Sequence, residues 1–234
     1  MILLGTMVNG LCIILGTIIG KYLYKMPEGI KTTTMQGIGL FIVVIGLQMA
    51  LTGEKMLIVL ISLVLGAVIG ELCKLEDGLN NIGKWIESKL SKGNEVDIAK
   101  GFVSATLIFV VGAMAIVGSL DSGLRGSHSV LITKGIIDGF TSILLTASLG
   151  IGVLFSFIPV VLYQGSITLF ANKIQQLAPE EVLNSFIADM TATGGIMIMA
   201  IGLNLLGLTN IKVANLLPGI VVVALLTFLM TNIS

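Results

Sequence analysis

Leu57-Ile58-Val59-Leu60-Ile61 stands near the start of a run, residues 56–73, whose first charged side chain is Glu71. The five residues do not alternate apolar with polar, so they read neither as a half-buried strand nor as a stave of a membrane barrel. A helix rises about 1.5 Å per residue and needs about 20 mostly apolar residues to cross the hydrocarbon of a bilayer. Residues 56–73 come close to that length, and similar runs lie at 2–24, 35–52, 99–120, 131–149, 151–171, 189–207 and 214–232. Only Gly150 separates 131–149 from 151–171, which leaves seven or eight crossings. A single helix over 131–171 is too long for one span, so eight are expected.

Composition extends this reading to the whole chain. Hydrophobic residues make up 55% of the 234 and charged residues 11%, against roughly a quarter charged in soluble proteins. Thirteen basic residues balance thirteen acidic ones. That balance argues against nucleic acid as a partner, which calls for a basic surface, and the high hydrophobicity excludes disorder. Cys12 and Cys73 are too few for a disulfide framework or a cysteine-rich metal site. The expected fold is an all-α polytopic membrane protein forming a single integral membrane domain over 1–234, with the lipid bilayer as its first partner.

Placement of the cations predicts orientation. With eight spans, Lys21, Lys25, Lys31, Lys74, Lys84, Lys89, Lys92, Lys100 and Lys212 fall on one side, and Lys55, Arg125, Lys134 and Lys173 on the other. The richer side is expected in the cytoplasm, with both termini outside. The uncharged stretch Met1 to Gly20 is followed, not preceded, by Lys21 and Lys25, so it reads as an uncleaved first span rather than a signal peptide. Between the third and fourth spans, Leu79, Ile82, Ile86 and Leu90 recur at helical spacing, with Lys84, Trp85 and Lys89 beside them. This predicts an amphipathic helix in the cytoplasmic interface.

An internal repeat bears on architecture. Gly39-Leu40-Phe41-Ile42-Val43-Val44-Ile45-Gly46-Leu47-Gln48 matches Gly195-Ile196-Met197-Ile198-Met199-Ala200-Ile201-Gly202-Leu203-Asn204. Leu51-Thr52-Gly53 with Lys55 then answers Leu208-Thr209-Asn210 with Lys212, and Met26-Pro27-Glu28 resembles Ala178-Pro179-Glu180. Spans one to three thus look like spans six to eight, an odd offset that would invert one copy, as in many secondary transporters. Residues 1–76 form the expected first repeat, 77–98 the interfacial helix and connector, 99–150 the central spans and 151–234 the second repeat.

Several ordered phrases carry a resemblance. They include Gly101-Phe102-Val103-Ser104-Ala105-Thr106-Leu107, Val111-Gly112-Ala113-Met114-Ala115-Ile116-Val117-Gly118-Ser119, Leu124-Arg125-Gly126 and Asp138-Gly139-Phe140-Thr141-Ser142. Leu162-Tyr163-Gln164-Gly165, Ala192-Thr193-Gly194-Gly195 and Asn215-Leu216-Leu217-Pro218 continue the set. Together they resemble the bacterial inner-membrane family catalogued as domain of unknown function 554, over essentially the whole chain. The resemblance implies a membrane protein of the inner membrane, with transport as the expected role.

An ionisable group within the hydrocarbon costs roughly 2.5–3.5 kcal/mol on insertion scales, so each one needs a reason. Asp138, Thr141 and Ser142 fall at i, i+3 and i+4 in the fifth span and share a helical face. Asp189 opens the seventh expected span, with Thr193 and the Gly194-Gly195 pair behind it, where local unwinding would free carbonyls. Carboxylate, hydroxyl and carbonyl oxygens suit a hard cation such as Na⁺, with Asp138 its expected ligand, or a coupling proton. Structural alternatives are an Asp138–Lys134 pair one turn apart, and Asp189 favouring a helix N-terminus. Asn9, Gln48, Asn204 and Gln164 supply amides for a polar cavity or for interhelical hydrogen bonds, and Pro159 could kink the sixth span near Gln164.

No H-E-x-x-H, G-x-S-x-G or P-loop pattern occurs, and His128 has no neighbouring Cys or paired acid, so neither an enzyme nor a resident cofactor is expected. Gly16–Gly20, Gly66–Gly70 and Gly135–Gly139 permit close helix approach, within one chain or in a homodimer. The expected function is cation- or proton-coupled secondary transport of a small solute or ion, with its site between inverted repeats. An ion channel and a non-transporting accessory protein are the alternatives.

Overall fold

The computed structural model describes residues 2–23, 28–81, 98–177 and 180–231. Its helices are α1 (Leu4–Leu23), α2 (Glu28–Ala50), α3 (Met56–Leu72), α4 (Leu75–Asn81), α5 (Ile98–Val110), α6 (Ala113–Arg125), α7 (Ser129–Leu149), α8 (Phe157–Leu177), α9 (Glu180–Leu205) and α10 (Pro218–Thr231). No strand occurs among the described residues. Among the described residues six helical segments are long and apolar enough to cross a bilayer unaided; the bent pairs α3–α4 and α5–α6 raise the number to eight if each counts once. Of the expected interfacial helix only residues 79–81 are described, and 82–90 lie outside the described residues. So do residues 26 and 27 and residues 178 and 179 of the compared connectors.

The helices are apolar outside and polar inside. α1 exposes Met7, Leu11, Leu15 and Ile18 while burying Thr6, Asn9 and Thr17. α7 exposes Ile136, Ile137, Phe140 and Leu144 while burying Lys134, Asp138, Ser142 and Thr146. Water outside would favour the reverse pattern. Lipid outside favours this one, because the hydrocarbon offers polar groups no partner. This is a multi-pass membrane protein.

The chain divides into two compact units. The first comprises Met1–Met35, Asn80–Val110 and Met114–Ile174. In it α1 lies directly on α7: a Cβ on Gly16 would strike the Gly139 carbonyl, and one on Gly135 would fall 2.9 Å from the Asn9 Cα. The order of contacts, Gly5 to Leu131, Asn9 to Gly135 and Gly20 to Thr146, makes the two helices parallel. α8 meets α1 in the opposite sense, with Val161 against Gly10 and Gly165 facing Leu3. The small-residue pairs Gly16–Gly20 and Gly135–Gly139 therefore join helices within one chain.

The second unit comprises Gln36–Leu79, Val111–Ala113 and Gln175–Ser234. A Cβ on Gly46 would fall 2.7 Å from the Gly195 carbonyl oxygen, and one on Gly195 would fall 2.7 Å from that of Gly46. Gly39 and Gly202 oppose each other likewise, at 3.2 and 2.8 Å. α2 and α9 are thus antiparallel and meet backbone to backbone. α3 meets the start of α10 through Gly66 against Gly219, with Gly70 against Asn215 just before it. After α3, Lys74 takes φ 51 and α4 turns away by 54°.

Four expectations change. The fourth span is broken, not continuous: Gly112 adopts φ 148, open to glycine without strain, and α5 and α6 diverge by 60°. The seventh span begins at Glu180, so Asp189 lies in the third turn of α9 rather than at its start. The Gly194-Gly195 pair does not unwind α9, which is continuous, but admits close neighbours: Val111 against Gly194, and Ala50 against Gly195. Pro159 does not kink α8; it is the third residue of the helix, where its missing N–H leaves no hydrogen bond unmade. Gly150, at φ 79, ends α7, and a 3-10 turn over Ile151–Ser156 leads into α8.

Candidate functional site

Asn9, Asp138, Thr141, Ser142 and Gln164 belong to the first unit, and Gln48, Asp189, Thr193 and Asn204 to the second. In the first unit, Lys134, Asp138, Ser142 and Thr146 follow one another at one-turn intervals down the buried face of α7. The Lys134 Nζ donates to the Asp138 Oδ2 at 2.5 Å, with both side chains buried. A cation at this Asp138 oxygen would have to displace Lys134. Lys134 is therefore an interior residue, and its contribution to the count of loop cations falls away. The Ser142 hydroxyl donates to the Asp138 carbonyl at 2.7 Å. The Thr141 hydroxyl bonds back to Ile137 at 2.9 Å.

Polar groups from α1 and α8 extend this interior. Asn9 and Gln164 are fully buried, and among the described residues the nitrogen and oxygen of both amides have no hydrogen-bond partner. The Asn9 amide lies beside the Asp138 carboxylate, close enough to interact with it but outside full hydrogen-bond geometry. Thr6, Thr17, Thr146 and Thr168 also bury hydroxyls without partners. Sequence reasoning missed these threonines, whereas the Asp138–Lys134 pair is the structural alternative it offered for Asp138. The signal was present, since polar residues at i, i+3 and i+4 along otherwise apolar helices mark an interior face.

In the second unit, Asp189 is fully buried, and its Oδ1 accepts the backbone N–H groups of Glu54 at 3.2 Å and Lys55 at 3.0 Å. It thereby satisfies donors where the chain enters α3, whose own cap position makes no side-chain bond. The Oδ2 atom is buried without a partner. Thr193 donates to the Asp189 carbonyl at 2.8 Å. We predict that Asp189→Leu destabilises the protein by about 1–2 kcal/mol through loss of this cap. Asp189→Asn, which keeps an acceptor oxygen, should stay closer to wild type in thermal unfolding in detergent. Equal losses in both would contradict capping through Oδ1.

The matched amides Gln48 and Asn204 differ in position. Gln48 is exposed on α2. Asn204 brackets the connector after α9: its Oδ1 accepts from Thr209 Oγ1 at 2.7 Å and Ile211 N at 2.9 Å, and its Nδ2 donates to the Ile211 carbonyl at 2.8 Å. A second bracket was not anticipated. Asn215 donates to Glu71 at 2.5 Å and accepts from Glu76 N at 2.8 Å, while Glu76 accepts from Ala214 N at 3.0 Å. Lys212 donates to the other Glu71 oxygen at 2.8 Å, and this bond pushes the Lys212 pKa up. Away from both brackets, His128 Nδ1 lies 2.7 Å from the Ser122 hydroxyl, which bonds the Ile2 carbonyl at 3.0 Å. Among the described residues no group of three or more His, Cys, Asp or Glu could hold a metal ion.

The model of one protein family, described as protein of unknown function (DUF554), matches residues 4–228. The uncharacterized membrane protein YdfK of Bacillus subtilis (strain 168) is 31% identical over 230 residues, covering 96% of this chain and 95% of its own. The uncharacterized protein YqgA of Escherichia coli (strain K12) is 30% identical over 223 residues, covering 93% of each. No solved structure matches the chain.

Proposed function

The chain belongs to the DUF554 family of proteins, and from that premise we propose that it is a secondary transporter of a small solute or ion, coupled to a cation or a proton. The observation that carries this reading is the buried polar interior of the first unit, where two complete amides have no hydrogen-bond partner among the described residues. Polar groups kept inside a membrane bundle without pairing are costly to stability and are characteristic of substrate and ion pathways.

Eight spans fit this reading best. Parallel α1 and α7 require an odd number of crossings between them, and α2 supplies one. Among the described residues, two bent pairs that both cross or both turn back keep that sense, which supports an even count. α3 exposes apolar side chains over its whole length, from Leu57 to Leu72, as a lipid-facing span would, and this favours eight. The antiparallel meeting of α2 with α9, on the glycines shared by the two matched sequences, supports inverted repeats. With Lys134 set aside, the cations of the sequence remain richer on the side expected in the cytoplasm, which supports both termini on the outer face of the bacterial inner membrane.

Purified protein in liposomes tests the function. Imposed Na⁺ or pH gradients should drive saturable uptake of a polar solute, and Asp138→Asn or Asp189→Asn should abolish the dependence on the gradient. Non-saturating currents would establish a channel instead. Absence of any flux, with a copurifying protein, would establish an accessory role.

A further inference from the structure

Asn9 is followed by Gly10 in α1, and Gln164 by Gly165 in α8, at nearly the same separation as the matched Gly39 and Gly195. Both glycines lie where the two antiparallel helices meet. A Cβ on Gly10 would fall 2.7 Å from Val161 Cγ2, and Gly165 faces Leu3 at 3.9 Å. At the same level, Asn9 rests on Gly135 of α7. Asn9 thus stands where three helices close on one another, and Gln164 follows Val161 by about one turn of α8. Thr6 lies one turn from Asn9 on α1, and Thr168 one turn from Gln164 on α8, each with a buried hydroxyl lacking a partner.

We infer that Asn9 and Gln164, with Thr6 and Thr168, form a binding site inside the first unit for a small uncharged solute that both donates and accepts hydrogen bonds, of the amide or polyol class. The inference rests on the transporter reading and names its substrate class. Each amide offers one acceptor oxygen and two donor hydrogens, so a ligand satisfying both must carry both functions. Charge selects against ions. The only buried charged side chains described in this unit, Lys134 and Asp138, neutralise each other across 2.5 Å. With this pair closed, an ionic substrate entering the interior would therefore meet no net countercharge in a low dielectric, whereas a coupling cation or proton would act on Asp138 with the pair open.

The test uses osmotic swelling of liposomes containing the full chain, with urea, acetamide and glycerol as probes and sodium gluconate as the ionic control. At least one neutral probe should enter faster than into protein-free liposomes. Gln164→Met and Asn9→Leu should return that entry to the protein-free rate, while each variant unfolds no earlier than wild type. Exclusion of all three probes, or unaltered entry in both variants, overturns the inference. If sodium gluconate or protons cross while every neutral probe is excluded, the solute class fails and the transporter reading stands. If nothing crosses, both fail.

Discussion

Lys134→Met should destabilise the protein by about 3–5 kcal/mol, and Asp138→Leu by a similar amount, while the double substitution should return close to wild-type stability. Each single change removes one member of a buried pair and leaves a bare charge in the bundle, the costly half of an ion pair's energetics. Replacing both members by apolar side chains removes the charges together, and such replacements are often neutral or stabilising. The geometry makes the coupling tight: Nζ and Oδ2 are 2.5 Å apart, on side chains that expose 8% and 6% of their surface. Unfolding free energies of the four proteins in a double-mutant cycle measure it. A double variant as unstable as the sum of its parents would show that each residue serves a separate partner.

The second large effect concerns the glycine pair in α9. Gly194→Ala and Gly195→Ala should each cost about 1–3 kcal/mol or more by overpacking, but for different reasons and with different remedies. A Cβ at 194 would overlap a methyl of Val111 and lie 2.9 Å from the Val111 Cβ, so Val111→Ala should recover much of the loss. A Cβ at 195 would strike the Ala50 backbone nitrogen and lie 2.7 Å from the Gly46 carbonyl oxygen. No side-chain truncation relieves backbone, and its loss should persist. Thermal unfolding of the singles and of the Val111→Ala pair separates this packing account from a hinge in α9. A hinge predicts that Val111→Ala rescues neither.

The membrane class and the approximate spans were legible because long apolar runs in the chain leave no other fold for the backbone's hydrogen bonds. Helix ends were less legible. The polar stretch before Asp189 reads as a connector, yet it is helical from Glu180, because helix formation needs only propensity and one packed face. The break at Val111–Gly112 sits inside an apolar run, and hydropathy carries no signal for it; Gly112 alone marked the place. For the site, the sequence named Asn9, Gln164 and Asp138, since amides and acids stand out against an apolar background. Hydroxyls with no acid close by in sequence, such as Thr6 and Thr168, do not, because serine and threonine can bond back to their own helix, as Thr141 and Ser142 do. The spatial meaning of Asn204 was also hidden: its bonds run to a connector seven residues on, a local bracket that resembles a lining residue when only its span is known.

The central claim is that the buried amides are kept for a ligand and not for holding helices together. Gln164→Met tests it most directly, since methionine matches glutamine in length and removes only the polar group. If the amide served helix packing through hydrogen bonds, its loss would lower the unfolding midpoint. If it is an unpaired group awaiting a partner, its removal relieves a desolvation cost of about 1–3 kcal/mol. The account predicts a midpoint in detergent equal to or above wild type for Gln164→Met. A clear fall, with the protein otherwise folded and monodisperse, would contradict it.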